Sequence, residues 1–197
     1  MLDARRKAGV NIENRASRID ITMTNLADIE MLAMDVDGVL TDGTLVINAD
    51  GSESKFFNSM DGHGIRMWQR AGLKVALISG RASEPTQRRA EQLQIEYVFQ
   101  DCHNKLPVLE KLLEQLSLSP QRVAYIGDDL TDLPVIRYVG FGVTVANAVD
   151  EVKQYADYVT TRTGGNGAVR EVIEYILKNT GKWQQLMARY LPSENSG

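Results

Sequence analysis

The chain has 197 residues, 43% of them hydrophobic, enough for one substantial core and too few for two independent ones. A net charge of −4 at pH 7 argues against nucleic acid as a partner, because phosphate backbones are gripped chiefly by clustered Lys and Arg. The lone Cys102 excludes an internal disulfide and, beside only His63 and His103, argues against a structural zinc site, and no apolar run approaches the roughly 20 residues a membrane span needs, so a cytoplasmic protein without a membrane partner is expected.

Residues 1–27 mix charge signs without a sustained period, as in Arg5-Arg6-Lys7, and predict a partly mobile arm, with a docking arm as the alternative. A single domain follows over 28–182, and the tail over 183–197 is weakly specified. From Ile29 short apolar runs alternate with segments of helical period, the pattern of βαβ units on a parallel sheet. Buried strands are predicted at Met31–Val36, Leu73–Ile78, Tyr97–Phe99, Val123–Ile126, Gly142–Val145 and Tyr158–Thr160. Helices are predicted over Asp61–Ala71, Ser83–Leu93, Lys105–Leu116 and Asp132–Val139, long enough to serve as crossovers. The fold class is therefore α/β, a doubly wound three-layer α/β/α sandwich on a parallel sheet. Gly43–Phe57 breaks the alternation and reads as a hairpin turning at Asn48-Ala49-Asp50-Gly51. The run Thr163-Gly164-Gly165-Asn166-Gly167 is either a flexible connector or backbone made for close approach.

In such sheets ligands gather outside the carboxyl ends of the strands, so residues just past each apolar run should converge. Those positions hold Asp35-Val36-Asp37-Gly38-Val39-Leu40-Thr41-Asp42-Gly43, then Ser79-Gly80-Arg81, then Gly127-Asp128-Asp129-Leu130-Thr131-Asp132, with Lys105 opening a helix. Gly38 lets the chain bend so that Asp35 and Asp37 face one space. Five acids there repel without a hard, oxygen-seeking cation, and Mg2+ suits them. Ser79, the Gly80 amide and Lys105 are donors fit for phosphoryl oxygens. Taken singly, Ser79 also reads as a helix N-cap, Lys105 as a solvated helix residue, and Asp129 and Asp132 as acids favoured at a helix start.

The four motifs Asp35-x-Asp37, Ser79, Lys105 and Gly127-Asp128-Asp129-x-x-Asp132 match in order and spacing, and the chain resembles the haloacid dehalogenase superfamily over roughly residues 30–165. The resemblance implies a phosphatase with Asp35 as nucleophile forming an aspartyl-phosphate, Asp37 as proton-transfer partner, Ser79 and Lys105 completing the catalytic set, and Mg2+ held by Asp35, Asp128 and the main-chain carbonyl of Asp37. The span between Asp37 and Ser79 holds only the hairpin and one helix, so no cap domain fits. This points to a capless, tetrameric subclass whose neighbouring subunits cover the crevice.

Lys55 to Arg66 and Gly164 to Glu171 extend the likeness toward phosphatases of sugar-acid phosphates. By that likeness the substrate surface comprises Asp37, Asn58, Ser59, Met60, Asp61, Gly62, Arg66, Gly80, Arg81, Arg89, Lys105 and Asp129, with Arg88 standing in for Arg89. Ser79 replaces the Thr of some relatives. Arg66 and Arg89 also read as salt-bridged helix faces, and His63 and His103 as loop residues. Alternative functions are a phosphatase for another small metabolite, or a phosphorylatable receiver module.

Overall fold

The computed structural model describes residues 25–191, so residues 1–24 of the expected arm and the end of the tail lie outside the described residues. A 3-10 turn, Leu26–Asp28, is capped by the Asn25 side chain, which accepts from the Ala27 N–H at 3.1 Å. The elements that follow are β1 (Met31–Met34), a hairpin of β2 (Val46–Ile47) and β3 (Glu53–Ser54), α1 (Ser59–Arg70), β4 (Lys74–Ile78), α2 (Glu84–Leu93), β5 (Tyr97–Phe99) and α3 (Lys105–Leu116). The second half comprises β6 (Val123–Gly127), α4 (Leu133–Tyr138), β7 (Phe141–Thr144), α5 (Asp150–Tyr155), β8 (Tyr158–Val159), α6 (Ala168–Asn179) and α7 (Lys182–Met187).

Six strands form one parallel sheet in the order β5-β4-β1-β6-β7-β8. The chain runs outward from β1 through β4 to β5, then returns to β1's other side with β6. That reversal creates a crevice at the carboxyl end of β1, where open α/β sheets bind ligands.

Alternation along β1 separates two cores. Leu32 and Met34 face the layer of α1, α2 and α6 with Ile65, Trp68, Ala90, Val169 and Ile173, while Met31 and Ala33 face α3, α4 and α5 with Leu109, Leu112, Ile136 and Val152. All four residues of β1 are fully buried, as expected of a strand covered on both faces.

The expected α/β/α sandwich is thus present, with corrections at its edges. The hairpin pairs only Val46 with Ser54 and Ile47 with Glu53, because the polar turn and the flanking chain leave little to pair. Helices α5 and α6 were not among the expected elements. The stripe Val169, Val172, Ile173, Ile176 and Leu177 carries α6 into the core, whereas α5 buries only Val152. The segment beyond Lys182, read as weakly specified, opens with a helix because Trp183 and Leu186 find apolar partners on the first core. Among the described residues no helix is long and apolar enough to cross a membrane.

Trp68 anchors the first core: it is fully buried, and its indole N–H donates to the Lys74 carbonyl at 2.8 Å. Trp68→Ala is predicted to cost about 3–5 kcal/mol, measured as a fall in unfolding free energy by urea titration with an unchanged slope. A loss below about 1 kcal/mol contradicts this placement of the core.

Candidate active site

The sheet delivers its acids to the crevice by backbone pairing. The Asp35 N–H still bonds to the Ile126 carbonyl at 2.9 Å, so Asp35 continues β1 in register with β6. Beyond it the Val36 carbonyl accepts from the amides of Leu40 and Thr41, closing a tight loop in which Gly38 has φ +88°. A Cβ at Gly38 would lie 2.1 Å from Asp128 Oδ2, so glycine is required by both conformation and contact. Gly164 approaches the same loop so closely that a Cβ there would lie 1.6 Å from the Gly38 carbonyl oxygen, and the Gly165 N–H donates to the Val39 carbonyl. The Gly-rich run therefore buttresses the loop after β1 in the same chain.

Lys105 lies at the centre. It is 2% exposed, and its ammonium sits 2.7 Å from Asp35 Oδ2 and 2.7 Å from Asp132 Oδ1. Burial opposes its charge, but Asp132 and Asp35 outweigh burial and raise its pKa. Asp132 is wholly buried and fully used: Oδ1 also accepts from the Tyr125 phenol at 2.6 Å, and Oδ2 accepts from the amides of Asp128 and Asp129 at 3.0 and 3.2 Å. Burial first, and then Asp132, hold the Tyr125 phenol well above its usual range, so it stays a donor. Asp129 caps the 3-10 turn Leu130–Asp132 in a capping box with Asp132, which confirms the helix-start reading for this pair.

Asp128 is the exception. Its Oδ1 is buried and has no hydrogen-bond partner among the described residues, and its carboxyl is pushed up to about 7 by burial, then by Asp132 and Asp35. Asp35 is raised to about 6 by burial and Asp132, against the pull of Lys105. Asp35, Asp128 and Asp132 each offer an oxygen within 4.8 Å of the others. Three carboxylates against one ammonium leave two negative charges uncompensated, which fits a dication. Of the three, Asp128 alone keeps an oxygen without a partner among the described residues; both oxygens of Asp35 are in use, Oδ1 accepting from the Val36 N–H at 2.7 Å and Oδ2 lying 2.7 Å from the Lys105 ammonium.

Ser79 is 1% exposed, its backbone held by the Phe99 carbonyl and the Cys102 amide, and its Oγ accepts from the Arg81 N–H at 3.3 Å. Ser79, Gly80, Arg81, Asp35, Asp37, Lys105, Asp128 and Asp129 all line one cleft of about 420 Å³, together with Cys102, His103 and Thr131. A wider depression of about 750 Å³ adjoins it between the hairpin and the start of α2 and shares Arg81, which pairs with Glu53 at 3.3 Å.

The other residues carried onto the substrate surface do not join this cleft within one chain. Asn58 caps α1, accepting from the Met60 N–H at 2.8 Å, and Ser59 and Met60 start the helix. Asp61 is 1% exposed and accepts from the amides of Gly167 and Arg170 at 3.1 and 2.7 Å, which ties α1 to α6. Gly62 packs on Arg89, whose guanidinium lies 5.7 Å above the Phe57 ring. Arg66 bonds to Gln69, Gln94 and the Leu93 carbonyl, which holds it at a separate depression. Arg88 is exposed and paired with Glu84.

Two residues of the site went unassigned in the sequence reading. Tyr125 sits inside an apolar strand, where its phenol reads as core. Lys55 follows the short β3 and carries no spacing signal, yet its buried ammonium lies 2.6 and 2.8 Å from the two carboxylate oxygens of Asp37.

Comparison with known proteins agrees with this geometry. Residues 97–173 match the model of a family described as haloacid dehalogenase-like hydrolase. A curated 3-deoxy-D-manno-octulosonate 8-phosphate phosphatase of Salmonella typhi is 44% identical over 160 residues, covering 81% of this chain and 85% of that protein. The crystal structure of the phosphatase of the same name from Moraxella catarrhalis, in complex with magnesium ion, phosphate ion and KDO, superposes with a TM-score of 0.83 at 42% identity, covering 84% of this chain and 95% of that one. A probable yrbi family phosphatase from Pseudomonas syringae superposes with a TM-score of 0.84 at 48% identity, covering 87% and 98%. The loop after β1, the buried lysine, the acids and these likenesses agree: the chain belongs to the haloacid dehalogenase-like hydrolases, in the family of the 3-deoxy-D-manno-octulosonate 8-phosphate phosphatases.

Proposed function

We propose that the protein is a magnesium-dependent phosphomonoesterase that hydrolyses 3-deoxy-D-manno-octulosonate 8-phosphate to the free sugar acid and phosphate, a step of lipopolysaccharide sugar biosynthesis in the cytoplasm. The observation that carries this reading is the buried acid cluster, short of two positive charges, at the floor of a cleft that also presents Ser79, the Gly80 amide and Arg81.

Asp35 is the nucleophile. Its carboxylate oxygen forms a bond to phosphorus as the bond to the sugar oxygen breaks, and Asp37 gives that oxygen a proton. Asp37 then takes a proton from water as the water oxygen attacks phosphorus, which frees phosphate and regenerates Asp35. Lys105 holds Asp35 in place and, with Ser79 and the Gly80 amide, offsets charge on the phosphoryl oxygens. Asp35, Asp128 and the Asp37 carbonyl would hold Mg2+, which would supply positive charge to offset that on the phosphoryl oxygens. Arg81 faces the substrate carboxylate, for which a planar guanidinium is well shaped. The substrate role of Asn58, Ser59, Met60, Arg66 and Arg89 is then exercised toward a neighbouring copy in a homotetramer, while the buried Asp61 and Gly62 hold the start of α1 in place. The exposed apolar residues Leu45, Ile47 and Phe56 on and beside the hairpin support that assembly.

The raised carboxyls set a pH dependence. An acid whose pKa is higher folded than unfolded stabilises the fold fully only below its unfolded value, near 3.8, and that contribution is lost as pH rises through the folded values of about 6 for Asp35 and about 7 for Asp128. The metal-free protein is therefore predicted to lose thermal stability between about pH 4.5 and 7.5. Mg2+ at a hundredfold excess over its Kd should raise Tm by roughly 5–10 °C at pH 7.5, and by less at pH 5, where protons compete for the same oxygens. Equal responses at the two pH values in a thermal scan count against Asp35 and Asp128 as ligands.

Phosphate release measured across sugar-acid, nucleotide and glycolytic monoesters should be fastest with the octulosonate ester, require Mg2+, and vanish in a folded Asp35→Asn variant. Undiminished turnover in that variant removes Asp35 as nucleophile. Light scattering should give four times the 21.9 kDa chain mass; a fully active monomer rules out the shared cover.

A further inference from the structure

Lys55 is a charged group that the reaction described above leaves without a role. Its side chain is 1% exposed, and two of its three ammonium donors are directed at the two oxygens of Asp37, with Glu53 next nearest at 4.0 Å. Drying an ammonium and ordering its four-carbon stem are costly, and a close carboxylate offsets them. Among the described residues the Asp37 carboxylate takes no other hydrogen bond. Asp37 stands on the loop just before Gly38, whose φ is +88°. The carboxylate nonetheless keeps a face 19% open and lines the cleft where the leaving oxygen has to lie. Lys55 arrives from a segment 18 residues on, between β3 and the Asn58 cap of α1.

Resting on the phosphomonoesterase reading, we propose that Lys55 is a positioning residue for the proton-transfer step: it aims the Asp37 carboxylate at the leaving oxygen, so that the pose of the hairpin controls how well the general acid works. Lys105 and Lys55 thus divide the labour, one holding the nucleophile and the other the acid.

The test is a double-mutant cycle with saturating Mg2+ and the octulosonate ester, on variants whose circular dichroism matches the parent. Lys55→Met should lower kcat by roughly 10- to 100-fold, a part of what general acid catalysis contributes, with KM changed less than about threefold. Lys55→Arg, which keeps the charge, should recover part of the loss. In the Asp37→Asn background Lys55→Met should cost no more than about twofold further, because the group it aims is gone. A parental kcat in Lys55→Met overturns the proposal, as does an equal loss in both backgrounds or a loss carried by KM, which makes Lys55 a substrate contact. Should Lys55→Met fail to fold, Lys55→Gln enters the same cycle with the same criteria. A parent protein that releases no phosphate with Mg2+ removes the phosphomonoesterase reading itself, a result distinct from an active parent indifferent to Lys55.

Discussion

The buried ammonium of Lys105 is the constraint on which the site depends. It lies between the carboxylates of Asp35 and Asp132, both at 2.7 Å, in a place where neither acid would be tolerated as an unpaired charge. Asp132 in turn uses its second oxygen on the amides of Asp128 and Asp129, so one lysine at the start of α3 fixes the end of β1 and the loop after β6. The sheet order makes this possible. Since β4 and β6 flank β1, loops that are distant in sequence meet over one strand end, and the lysine bridges them.

What the lysine leaves undone defines the chemistry. It neutralises one of three acids, and among the described residues Asp128 keeps a buried oxygen without a partner, an arrangement that is unfavourable unless a cation completes it. A site left electrostatically incomplete in this way suits a reaction whose acceleration comes mainly from stabilising charge on a phosphoryl group. Asp37, two residues from Asp35, belongs to a different electrostatic unit. Its charge is met by Lys55, and through Glu53 that pair adjoins Arg81 at the mouth of the neighbouring depression. The hairpin, short and apolar on its outside, thereby links three things: the Asp37 carboxylate, the mouth of the cleft and an exposed apolar surface.

Much of this was legible in the sequence because the signals are local. Short apolar runs alternating with helical periods specify a parallel sheet, and acids placed just past those runs have to gather at one edge whatever the details of packing. For the same reason Asp35, Asp37, Ser79, Gly80, Arg81, Lys105, Asp128 and Asp129 were all named before the geometry placed them in one cleft. The apolar stripe of α6 is an equally local signal, although no predicted helix covers it.

By itself, the amino-acid sequence determined the fold class, the side of the sheet that reacts, and the residue types that meet there, because these follow from periodicity and from position relative to strand ends. Only the tertiary structure decided how each charge is used. Asp132 is consumed by Lys105, Tyr125 and two amides while Asp128 stays free, Asp61 clamps α6, Arg66 is held elsewhere, and Lys55 serves Asp37. The physical reason is that a buried polar side chain takes whichever partner the fold brings within about 3 Å, and that partner comes from a segment tens of residues away, beyond the reach of any local pattern.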